Sequence, residues 1–161
     1  MKIRCLLALA LVLIMSVAYA HEDRILTIRP DDTIPEIPAS FGHVSLRISG
    51  LGGPAPAVEF SSGSHHNKLP LCVTRLIRTQ QRRNVFVTGS WYHDTSKFPP
   101  YIYVRFYAPG YAENRPFNSS FDIAFNLYNA RVTRIERFVA YPAGNGGEYR
   151  DVVLPKGCTL P

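Results

Sequence analysis

Three stretches of this chain alternate apolar and polar residues with the two-residue period of a half-buried β-strand, a pattern that a helix cannot bury on one face. In 43–48, Val44, Leu46 and Ile48 fall on one side, with Ser45 and Arg47 on the other. In 101–107, Ile102, Val104 and Phe106 face inward, leaving Tyr101, Tyr103, Arg105 and Tyr107 outward. In 121–127, Phe121, Ile123, Phe125 and Leu127 alternate with Asp122, Ala124 and Asn126.

Further runs over 24–29, 57–60, 71–78, 85–92, 131–141 and 149–154 bring the expected count to about nine short strands. In 132–139, Val132, Ile135 and Val139 also suit a helix, but the β-branched content favours a strand. Gly, Pro, Asn and Asp punctuate the runs, and Asn129-Ala130 reads as a tight hairpin connection without the usual glycine. The fold expected is all-β: a two-sheet sandwich of immunoglobulin-like or jelly-roll topology, with no helix longer than a few turns.

The N-terminus reads as an export leader. Lys2 and Arg4 precede an apolar run from Cys5 to Val17, and Ala18-Tyr19-Ala20 supplies small residues for cleavage before His21. As a helix that run spans about 20 Å, too short for a hydrocarbon core of about 30 Å. Cys5 lies ahead of the run, where it cannot become a lipidated N-terminal cysteine. Residues 1–20 are therefore expected to be a signal peptide and 21–161 a single β-sandwich domain, periplasmic or secreted, with no membrane anchor after cleavage. Losing Cys5 leaves Cys72 and Cys158, which in an oxidising compartment have only each other to pair with. A bridge there closes a loop of 87 residues, worth roughly 4–5 kcal/mol in the chain-entropy model.

Losing Lys2 and Arg4, and no acid, lowers the formal net charge from +6 to +4. The densest cationic run, Arg75, Arg78, Arg82 and Arg83, reads as a solvated strand end and loop. No aromatic residues interleave it, so nucleic acid is not the expected partner.

Catalytic signatures are missing. There is no G-x-S-x-G elbow, H-E-x-x-H, P-loop or dinucleotide fingerprint. In Trp91-Tyr92-His93-Asp94 the histidine and aspartate are too close in sequence to hold each other in triad geometry, and no spacing pairs Glu59, Asp94 or Glu113. No residue is assigned a catalytic role, and the chain reads as a non-enzymatic protein.

Cleavage after Ala20 would make His21 the first residue, offering an α-amine and an imidazole together. With a second histidine these form a three-nitrogen, T-shaped copper set, an arrangement similar to that of secreted copper monooxygenases and some periplasmic copper carriers. His43, His65, His66 and His93 are the candidates for the second ligand, and His93 is preferred because it follows an alternating strand. His65 and His66 sit in a polar stretch read as a loop, and adjacent side chains of an extended segment point to opposite faces. Copper is the expected cofactor if there is one.

The leading expectation is a binding protein of inhibitor, immunity or adhesion type. Its site is an outward strand face built from Trp91, Tyr92, Tyr101, Tyr103, Arg105 and Tyr107, and its partner is a protein or a glycan. Asn118-Ser119-Ser120 matches the N-glycosylation acceptor pattern, which matters only in a eukaryotic host.

Overall fold

A computed structural model describes residues 26–28, 37, 39–90, 99–108, 118–141 and 146–161. The alternation of the sequence becomes its layering. In β2 (Val44–Ser49), Val44, Leu46 and Ile48 are buried, and pairing with β3 (Ala57–Ser62) sets Leu46 opposite Phe60 and Ile48 opposite Val58. With β1 (Leu26–Ile28) and β4 (His65–Lys68) at its edges, this sheet has the order β1-β2-β3-β4. A second sheet contains β5 (Val85–Ser90), β6 (Tyr101–Ala108), β7 (Ser119–Asn126), β8 (Val132–Ala140) and β9 (Gly147–Asp151), again in chain order.

The apolar sides of the two sheets share one core, in which the Phe60 ring of the first stacks on Phe125 of the second at 4.7 Å between centroids. The expected all-β, two-sheet sandwich is what the chain forms, with nine strands among the described residues. Its connectivity is simpler than the immunoglobulin-like or jelly-roll order expected. Every described strand pairs only with its neighbours in sequence, so the layers are two consecutive meanders. Each needs only local antiparallel connections.

Two segments differ from the sequence reading. The run 71–78 is not a strand: Leu71–Thr74 forms a single helical turn, α1, entered from Pro70. Val73 and Ile77, four residues apart, are both buried, a helical spacing that the β-branched composition masked. The ambiguous 132–139 lies within strand β8, as its β-branched content indicated. The stretch around His65, read as a loop, is instead the hairpin β3–β4. Gly63 takes φ 58° in its two-residue turn, the left-handed conformation such hairpins require.

A polar clasp joins the two sheets at this end. Ser62 Oγ donates to Leu127 O at 2.5 Å, and Asn67 Nδ2 donates to Ala130 O at 2.9 Å. Ala130 itself adopts φ 58° in the β7–β8 connection, the turn expected at Asn129-Ala130. Asn126 Oδ1 accepts from Tyr128 N–H and Asn129 Oδ1 from Arg131 N–H, side-chain bonds that shape the turn without a glycine.

Cys72 on α1 is bonded to Cys158, with 6.0 Å between their Cα atoms. The bridge fastens the C-terminal tail, whose Val152 and Leu154 pack against the core, to the segment joining the sheets. No helix among the described residues is long and apolar enough to cross a membrane. Residues 1–20, including the expected leader, lie outside the described residues.

Candidate functional site

The two sides of β6 separate as the sequence indicates. Ile102, Val104 and Phe106 are in the core, and Tyr101, Tyr103, Arg105 and Tyr107 lie half-buried on the opposite, outer face of the five-stranded sheet. Tyr101 and Tyr103 meet edge to face at 4.9 Å. Trp91 and Tyr92, expected on the same surface, lie outside the described residues.

The neighbouring strand does not follow simple alternation. On β7, Phe121, Ile123 and Phe125 face the core, yet Ser120, Asp122, Ala124 and Asn126 on the outer side are buried as well. β7 is the middle strand of five, and Arg105 of β6 reaches over its outer face to Asp122. The register forms rows across the sheet. Phe86, Arg105, Asp122, Glu136 and Asp151 lie side by side in one, and Tyr107, Ser120, Phe138 and Tyr149 in the next.

Asp122, 1% exposed, is the anchor of the first row. It accepts two hydrogen bonds from Arg105 Nε, at 3.1 and 2.9 Å, and one from Arg105 Nη2 at 2.6 Å. The same Nη2 donates to Tyr149 Oη at 3.0 Å, while the Tyr149 ring tilts against Phe138 at 5.1 Å. Burial works against the Arg105 charge, but the hydrogen bonds and charge of Asp122 outweigh it and hold the guanidinium pKa above its usual value. Burial also pushes the Tyr149 hydroxyl pKa up, with nearby Arg105 pulling the other way. Beside this row, Arg134 is hydrogen-bonded with Tyr103 and lies 3.5 Å from Glu136, which together raise its pKa.

Chemically, the face offers π surfaces, tyrosine hydroxyls and a guanidinium held in one orientation. Asp122, Tyr149 and Phe86 were not singled out from sequence. The available signal was a charged residue, Asp122, between Phe121 and Ile123, because a carboxylate in so apolar a strand needs a cation over it. Phe86, 54% exposed and opposite Arg105, could have been placed outward from Val85 and Val87 on either side of it.

His21 and His93, the copper ligands expected from sequence, both lie outside the described residues. His43, His65 and His66 are all exposed, and no three metal-ligating side chains gather among the described residues. His65 and His66 do point to opposite faces. His66 lies opposite Ser61, with Nδ1 2.8 Å from Ser61 Oγ, and His65 lies opposite Ser62.

The arginine run divides. Arg75, Arg78 and Arg83 are exposed as expected, but Arg82 is buried, its Nε donating to Ile77 O at 3.0 Å and its Nη1 to Gly53 O at 2.5 Å. Burial lowers its pKa. Arg82 thus joins two loops through their carbonyls instead of facing solvent. No protein-family model, curated protein or solved structure matches the chain.

Proposed function

We propose that this chain is an exported, non-enzymatic binding protein, periplasmic or secreted, that recognises a protein or a glycan with the outer face of its five-stranded sheet. The observation that carries the reading is the Arg105 guanidinium, held by Asp122 and Tyr149 among Tyr101, Tyr103 and Tyr107. A side chain already held in one orientation loses little freedom when a ligand packs on it, and tyrosines supply broad amphipathic surface at low entropic cost. Export is supported by the leader-like N-terminus and by a disulfide of the kind that oxidising compartments sustain.

The test is capture of partners from envelope and extracellular extracts, together with a glycan array, using the protein purified after export. Tyr103→Ala and Tyr149→Ala should weaken whatever the parent binds at least tenfold. Arg47→Ala, on the other sheet, should leave it unchanged. Binding that is equal across all variants, or no ligand from either source, would sink the proposal.

A further inference from the structure

Among the described residues, two of the sheet edges are protected against pairing with another strand. β4 has four residues and ends in Lys68, which pairs with Glu59 at 3.1 Å, and β9 carries Glu148, Arg150 and Asp151. Shortness and charge are the usual means by which an edge is kept from association. β5 uses neither: its six residues, Val85-Phe-Val-Thr-Gly-Ser, include no charge and no proline, and its register with β6 is unbroken.

The ladder identifies which groups this edge presents. Tyr107 N–H donates to Asn84 O at 3.0 Å, so Asn84 and Tyr107 form a hydrogen-bonded pair. Bonded and non-bonded pairs alternate in an antiparallel ladder. Phe86, Thr88 and Ser90 are therefore bonded to β6, and the N–H and C=O groups of Val85, Val87 and Gly89 face away from it. None of these groups is bonded to another described residue.

We propose that β5 is the docking surface for a second copy of this chain, paired antiparallel about a two-fold axis at Val87. The strand is self-complementary in that register. Val85 falls opposite the partner's Gly89 and Val87 opposite the partner's Val87, so every outward N–H and C=O finds a mate. Phe86 falls opposite the partner's Thr88, setting a large side chain against a small one, as Val85 against glycine does on the other face. No like charges meet within the paired strands. Docking merges two five-stranded sheets into one continuous sheet with both Tyr/Arg faces on the same side. The inference goes beyond the proposed function and does not depend on it.

The experiment is sedimentation equilibrium of the protein purified after export, from about 1 μM to 1 mM, with amide exchange read at the same concentrations. The expected result is a concentration-dependent dimer, strengthened by salt because the copies share a positive net charge, and slowed exchange at Val85, Val87 and Gly89 as it forms. The double variant Phe86→Lys/Thr88→Lys sets like charges opposite one another across the axis and lies outside the core. It should melt as a folded protein and dimerise at least tenfold more weakly. A monomer at every concentration, a dimer unaffected by the lysines, or protection of these amides independent of concentration would overturn the proposal.

Discussion

On the inner face of β7, Phe121, Ile123 and Phe125 are buried in the core between the sheets, whereas Ser120, Asp122, Ala124 and Asn126 on its outer face are buried as well, Asp122 beneath Arg105 of the neighbouring strand. The inner face needs only apolar area and a matching surface, so many partners would satisfy it. The outer face needs particular groups, since a desolvated carboxylate is tolerable only with a cation and donors in place. It is also less completely satisfied, because Ser120 Oγ has no hydrogen-bond partner among the described residues. One strand thus separates a face built for cohesion from a face built for orientation, and the second carries the candidate site.

Breaking the inner face should cost most. Phe125→Ala removes the ring stacked on Phe60 and leaves a cavity between the sheets, for an expected loss of about 3–5 kcal/mol in urea unfolding. A loss below about 1 kcal/mol would mean that the sheets are not held together there.

Asp122→Ala tests the outer face. It strands a guanidinium that is 22% exposed, so the loss should be about 2–3 kcal/mol, less than for a fully buried pair. Replacing both partners, Arg105→Leu with Asp122→Leu, should recover most of that stability while abolishing ligand capture. If the double variant is no more stable than Asp122→Ala, the pair is not the source of the loss.

Tyr149→Phe sharpens the comparison most finely. It removes one hydrogen bond to a charged donor and should cost about 1 kcal/mol at neutral pH. The Tyr149 pKa is raised in the folded protein, so the folded state binds the phenolic proton more tightly than the unfolded chain. Its contribution is complete below the unfolded value of about 10 and is lost as pH rises through the folded value. Above pH 10 the parent should therefore lose stability faster than Tyr149→Phe. Parallel stability profiles for the two would show that folding does not desolvate the Tyr149 hydroxyl.

Much of this architecture is legible in local patterning, and the exceptions share a cause. The inward positions of β2 and β6 follow from alternation alone, because a period of two admits one way of burying Val44, Leu46 and Ile48 or Ile102, Val104 and Phe106. The Tyr/Arg side of β6 followed for the same reason. The turn α1 was missed because the Val73–Ile77 spacing carries its meaning only once a core lies on that side. Strand β4 was missed because His65-His66-Asn67-Lys68 has no apolar pattern. Backbone pairing with β3 and the bond from Asn67 to the other sheet make it a strand.

The chain by itself determined the fold class, the pairing of Cys72 with Cys158 and the side of β6 that faces outward. Each depends on periodicity or on counting, quantities contained in consecutive residues. Only the tertiary structure decided that the layers are two meanders, that Asp122 is buried and that it grips Arg105 beside Tyr149. These depend on which strands become neighbours: the cation that makes a buried carboxylate tolerable is 17 residues away from it in the chain, and the tyrosine hydroxyl that steadies that cation lies 44 residues from Arg105, brought within hydrogen-bond reach only by the register of four adjacent strands.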